Sequence, residues 1–173
     1  MPKIIPNVRE QLLKEAKRQI EEYGYGKMTI RSVASACDLG VGTVYNYFKS
    51  KDRLVATFMA EDWLESISQI QSQPGVEPKE VLHSIYNALI DFASRYQTLF
   101  SDREAAKTFA SVFTERHKQL RRQLTEFIVP VCQGAAPEDR RFVAEFIAES
   151  LLAWTMEGVP FEKQYAIICK IIQ

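Results

Sequence analysis

The sequence predicts an all-α protein, and three observations carry that prediction. Apolar residues recur at helical spacing through most of the 173 residues. No segment shows the apolar/polar alternation of a strand, and no internal repeat is present. The periodic stretches are punctuated by glycine and proline at 24–26, 40, 74–75, 130, 134–137, 158 and 160.

Each element follows from its own pattern. Val8, Leu12, Leu13, Ala16, Ile20 and Tyr23 line one face of a first helix that ends at Gly24 or Gly26, with Arg9, Lys14, Lys17 and Arg18 on the other face. Thr29 is suited to cap a short second helix whose inward residues are Ile30, Val33, Ala34 and Cys37. Asp38-Leu39-Gly40 breaks it, and a third helix is predicted over Gly42 to Phe48, with Val44 and Phe48 four apart on the core side. Ser50 is suited to cap a fourth helix running through Leu54, Phe58, Leu64 and Ile67 until Gln73-Pro74-Gly75 stops it. Four further segments follow: Pro78 to about Phe100, about Glu104 to Ile128, Glu138 to Glu157, and Phe161 to Ile172. Glu138 and Asp139 suit the positive N-terminal end of their helix.

The organisation is a basic N-terminal module at residues 1–50 and a helical body at 51–173. Net charge is zero overall, but residues 1–55 hold ten Lys and Arg against six Asp and Glu, leaving twelve against sixteen for the rest. Local charge on the contacting face, rather than the total, governs binding to nucleic acid, so this asymmetry favours a DNA-facing N-terminus. Cys37, Cys132 and Cys169 lie far apart with no CxxC pair and no secretory leader, which predicts reduced thiols in the cytoplasm. No apolar run approaches the roughly 18 to 20 residues of a membrane span.

Two short helices joined by a tight turn, preceded by a longer basic helix, fit the helix-turn-helix arrangement of DNA-binding proteins. The second of the pair can lie in a major groove about 12 Å wide, where Thr43, Tyr45, Asn46 and Tyr47 offer hydroxyls, an amide and aromatic rings to bases or phosphates. Lys49 and Lys51 follow, placed to meet phosphates. On pattern alone, a plain helical corner with surface tyrosines remains the competing reading.

The stretch from Thr29-Ile-Arg-Ser-Val-Ala through Leu39-Gly-Val-Gly-Thr-Val-Tyr-Asn-Tyr-Phe-Lys-Ser-Lys-Asp-Arg-Leu54 resembles the TetR family of bacterial repressors. The resemblance implies an N-terminal three-helix DNA-binding domain, with its motif at 29–48, and a C-terminal helical ligand-binding and dimerisation domain. Carried over by position, it implies that Thr29 caps helix 2 beside a phosphate and that Arg31 stands where some members contact a guanine. Gly42 and Thr43 open the recognition helix, Tyr45 and Asn46 face the groove, Tyr47 binds phosphate, and Lys51 anchors the start of helix 4. Two positions depart from the usual pattern. Asp38 stands where glycine is common in the turn, and Gly40 where serine often caps the recognition helix; glycine can itself serve as an N-cap, and Asp38 fits if it adopts a left-handed conformation.

Helix-turn-helix proteins commonly bind as dimers on two half-sites, so a homodimer is expected. Phe142, Phe146, Ile147, Leu151 and Trp154, with Phe161, Tyr165, Ile168 and Ile172, offer apolar surface for an interface. The resemblance implies a four-helix dimer bundle there; the alternative is that these residues form intrachain core. The resemblance also implies a small-molecule effector, largely apolar, bound within the body. Trp63, Tyr86, Phe92, Tyr96, Phe109 and Phe113 are suited to line such a pocket, with Asn87, Thr108, Ser111 or His117 to orient the ligand. Ordinary core is the competing reading for each of them, and the body is shorter than is usual in the family.

Catalysis finds no support. His83 and His117 sit near no cysteine or HxxxH-type partner, no glycine-rich phosphate loop occurs, and no metal or other cofactor is expected. The remaining alternative is an interaction protein of the same fold that sequesters another regulator, against which Thr43, Tyr47 and Lys51 argue.

Overall fold

The computed structural model describes residues 7–72 and 77–172, with the side chains of 72, 100, 104 and 106–115 outside that description. Among the described residues the elements are all helical. In order they are α1 (Val8–Tyr23), α2 (Ile30–Ala36), α3 (Val41–Tyr47), α4 (Lys51–Ser72), α5 (Pro78–Arg95), α6 (Gln97–Ser101) and α7 (Arg103–Ile128). A 3-10 turn over Val129–Val131 leads to α8 (Arg140–Met156) and α9 (Phe161–Ile172). The expected stop at Gln73-Pro74-Gly75 lies outside the described residues.

Three boundaries differ from the sequence expectation. Helix α3 begins at Val41 rather than Gly42, because Gly40 takes the extended N-cap geometry (φ −68°, ψ 143°). The single helix expected from Pro78 to Phe100 is two helices, broken at Tyr96 (φ −108°, ψ 15°). Tyr96 is held off the helical path by its side chain: the ring stacks on Phe58 with centroids 6.1 Å apart, and the hydroxyl donates to Asp62 Oδ2 at 2.5 Å. Third, the helix expected from Glu138 starts at Arg140. The N–H groups of Asp139 and Arg140 both donate to the carbonyl of Ala136, so a turn occupies those positions and Asp139 makes no side-chain cap bond.

The chain divides into two compact units, Met1–Leu64 with Tyr96–Val112, and Glu65–Arg95 with Phe113–Gln173. In the first, α1 packs on α2 and α2 on α3, around the fully buried Leu12, Met28, Val33, Val44 and Leu54. Truncating such a residue to alanine costs about 2–5 kcal/mol. Two ion pairs join α1 to α4: Arg9 to Glu61 at 2.5 Å and Lys17 to Asp62 at 2.6 Å.

In the second unit α5 packs on α8 and α9, and α8 on α9. Leu82 and Ile85 of α5, Leu124 and Ile128 of α7, and Ile147 and Leu151 of α8 are fully buried. Phe161 at the start of α9 sits among rings, 4.6 Å from His83 and 5.5 Å from Tyr86 between centroids. Gln164 ties α9 back to α8, its Nε2 donating to Thr155 Oγ1 at 3.3 Å and to the Val159 carbonyl at 2.8 Å. The chain between them turns at Gly158, whose φ of 75° is favourable only without a Cβ.

Candidate nucleic-acid interface

Capping sets both ends of α2. Thr29 Oγ1 accepts the backbone N–H of Ser32 at 2.9 Å, and Ser32 Oγ accepts that of Thr29 at 3.0 Å. This reciprocal capping box satisfies donors that a helix N-terminus otherwise leaves open. At the other end the Leu39 N–H reaches back to the Ala34 carbonyl at 2.9 Å and the Asp38 N–H to Ser35 at 3.2 Å. That pair of bonds is a Schellman motif, which needs a left-handed residue just beyond the cap. Asp38 fills the place at φ 55°, which accounts physically for the glycine usual at this position. Asp38→Gly is therefore expected to raise stability by about 0.5–1 kcal/mol and Asp38→Val to lower it by about 1–2. Thermal melts check this, and identical melting of all three proteins would contradict the strain.

The short turn aims α3 outward. Val44 and Phe48 are buried beneath it, whereas Gly42, Tyr45, Asn46 and Tyr47 are exposed. Gly42, Tyr45 and Asn46 are three and four apart and so share one helical face. Thr43 is half-buried, and Thr29, Arg31 and Lys49 are exposed. A Cβ added at Gly40 would meet only Thr43 Oγ1, at 3.9 Å, so serine fits there and its absence is chemical rather than steric.

Lys51 is placed differently from the other cations. It is half-buried, its Nζ donates to the Tyr25 carbonyl, and it lies 3.8 Å from the centroid of the Tyr25 ring. Asp52 accepts the Tyr25 hydroxyl. Tyr25, buried within what reads in sequence as a Gly-Tyr-Gly loop, thus fastens the start of α4. Gln19, Tyr25 and Asp52 carry structural roles that the apolar pattern does not reveal.

Cys37 caps the C-terminus of α2 and is half-buried, with its Sγ 3.8 Å from the Gln11 carbonyl. Burial, with the nearby Glu15 charge, pushes its thiol above the ordinary value. Burial likewise raises Cys132, partly countered by Arg140.

The residues expected to line an effector pocket are distributed between the units. Trp63 and Tyr96 are buried in the first. Tyr86, Asn87, Phe92 and His117 belong to the second, where Asn87 is exposed, Phe92 half-buried and His117 Nε2 lies 2.8 Å from Glu149 Oε1. The side chains of Phe109 and Phe113, and of Thr108 and Ser111, lie outside the described residues. Of the residues expected at an interface, Ile147, Leu151, Phe161, Ile168 and Ile172 are buried within the chain and Tyr165 is half-buried, while Phe142, Phe146 and Trp154 are exposed.

Among the described residues the α2–α3 pair, with its polar and aromatic outer face, has the arrangement of a helix-turn-helix. Residues 12–57 match the family described as bacterial regulatory proteins, tetR family. The match lies in the N-terminal part of the chain, which is similar to the DNA-binding region of that family. It is 34% identical over 68 residues to the HTH-type transcriptional repressor Rv1474c of Mycobacterium tuberculosis, a match covering 39% of this chain and 36% of that relative. It is 27% identical over 159 residues to the repressor KstR of Rhodococcus jostii, covering 84% of this chain and 72% of that one. The fold is shared with Thermus thermophilus FadR, solved with lauroyl-CoA, at a TM-score of 0.58 and 18% identity over 95% of this chain and 92% of that one. Among the described residues no helix is long and apolar enough to cross a membrane.

Proposed function

We propose that this chain is a dimeric, ligand-responsive repressor that binds a palindromic operator in the cytoplasm and is released by a small, largely apolar molecule. The observation that supports it most is the outward face of α3, where Gly42, Tyr45 and Asn46 are exposed above the buried Val44 and Phe48. In this reading residues 1–50 are the DNA-binding domain and 51–173 the regulatory and dimerising one. Arg31, Tyr45 and Asn46 read bases, Thr29, Thr43, Tyr47 and Lys49 hold phosphates, Gly42 lets the backbone approach, and Lys51 holds α4 in place through Tyr25. The effector class draws support from the lauroyl-CoA held by the T. thermophilus neighbour and from the aromatic residues of the body.

Selection of bound DNA from a random pool tests the reading. A two-fold symmetric site should be enriched, and repeating the selection with fatty acyl-CoA esters of graded chain length should abolish enrichment for the ligand class that fits. Failure to enrich any palindrome favours a protein that sequesters another regulator. Within the site, Tyr47→Ala is expected to weaken binding to all DNA sequences alike and to reduce the salt dependence by about one phosphate contact. An unchanged slope of affinity against salt would remove Tyr47 from the phosphate contacts.

A further inference from the structure

Gln19 lies on the α1 face that packs against α2 and is 5% exposed, a polar amide among Leu12, Leu13, Ala16 and Ile20. A buried amide is costly unless its donors and acceptor are both engaged. Its Nε2 donates to Glu15 Oε1 at 2.8 Å, and its Oε1 accepts the Ser32 hydroxyl at 2.6 Å. Glu15 is held in turn by Arg18, whose Nη2 and Nε donate to its two oxygens at 2.7 and 3.0 Å. The guanidinium of Arg18, then the Gln19 amide, keep the Glu15 carboxyl below its ordinary value against the opposing effect of burial.

The order of these bonds has a direction. An ionised carboxylate only accepts, so the amide must turn its NH2 toward Glu15 and its oxygen toward Ser32. The Ser32 hydroxyl has one proton, and the oxygen of Gln19 takes it. Ser32 Oγ is then left as an acceptor for the Thr29 N–H, which is the bond that closes the α2 cap at 3.0 Å. Without Gln19 the hydroxyl's remaining acceptor is the Thr29 carbonyl, 2.9 Å away, and turning toward it redirects the lone pairs that receive the Thr29 N–H.

We propose that Gln19 is a positioning residue for DNA binding: directed by Glu15, it orients the Ser32 hydroxyl and so fixes the N-terminus of α2, from which Thr29 and Arg31 reach the DNA. The inference rests on the DNA-binding role assigned to α2 under the proposed function. Gln19 touches no DNA itself and acts through Ser32.

Amide hydrogen exchange and DNA titration on the full chain test it together. In Gln19→Met the Thr29 amide should exchange about ten-fold faster while the Ile20 amide of α1 keeps its wild-type rate. Operator affinity should fall about three- to ten-fold in the wild-type background, with no further loss when Thr29 is already alanine. Glu15→Gln, which keeps Gln19 but lets its amide turn round and present its NH2 rather than its oxygen to Ser32, should speed Thr29 exchange in the same direction and serves if Gln19→Met does not fold. Equal acceleration at Thr29 and Ile20, or an equal affinity loss in both Thr29 backgrounds, would show a merely structural side chain and overturn the proposal. A wild-type chain that enriches no DNA overturns the regulator reading and the DNA role of Gln19 with it; the exchange rates then report the α2 cap alone.

Discussion

Phe146→Asp combined with Trp154→Asp should yield a folded monomer whose affinity for its operator is lower by about 100-fold or more. Phe142, Phe146 and Trp154 are 70%, 55% and 53% exposed, whereas the residues that build the second unit's core from α8, Ile147, Ala148 and Leu151, are fully buried. Phe142, Phe146 and Ala153 fall on one side of α8 by helical periodicity, and all are exposed. Ile167 of α9 adds another large exposed apolar side chain at 59%. Large exposed apolar residues gathered on a terminal helix pair mark an interaction surface, which in the proposed dimer a second copy of the chain would cover. The charges change nothing inside the core, so helicity should be retained. Linking two half-sites through one dimer makes the second contact effectively intramolecular, and losing that linkage removes about two to four decades of affinity. Light scattering and operator titration measure both effects; a persistent dimer would move the interface elsewhere.

Arg31→Ala and Asn46→Ala should each change which base is preferred at one position per half-site. A good side-chain contact to a base edge discriminates by about 1–3 kcal/mol, which is about 5- to 150-fold. Both residues are exposed on the pair of helices that the Schellman turn at Asp38 locks together. Selection from a random pool with each variant should relax the consensus at one symmetric pair of positions and leave the rest intact. Equal losses on operator and random DNA would place these side chains at the backbone instead, as expected for Tyr47.

The helices and the exposed face of α3 were legible in the sequence because both depend on short-range chemistry. Thr29 as a cap, Val44 and Phe48 as the buried side of α3, and a left-handed Asp38 all follow from spacing and side-chain type, and the structure has them so. What escaped depends on contacts between distant residues. The break at Tyr96 is made by Asp62 and Phe58, more than thirty positions away, and helical periodicity runs through it without a mark. Lys51, read both as a cation placed to meet phosphate and as the anchor of helix 4, is held by Tyr25, a partner 26 positions away that the pattern does not point to. Apolar periodicity in α8 and α9 also cannot separate residues that face their own chain from those that face another copy, and Ile147 and Phe146 stand one position apart with opposite fates.

Cys37 gives the helix-turn-helix a clock of its own. Only a thiolate reacts with alkylating reagents, and this thiol is disfavoured from ionising by its burial at the end of α2. Its labelling is therefore expected to be slow while that end of α2 stays packed on α1 near Gln11. On the proposed function, bound DNA should slow the labelling and a releasing effector should restore it. A single unmodified protein thus carries a chemical readout at the surface proposed to meet the operator.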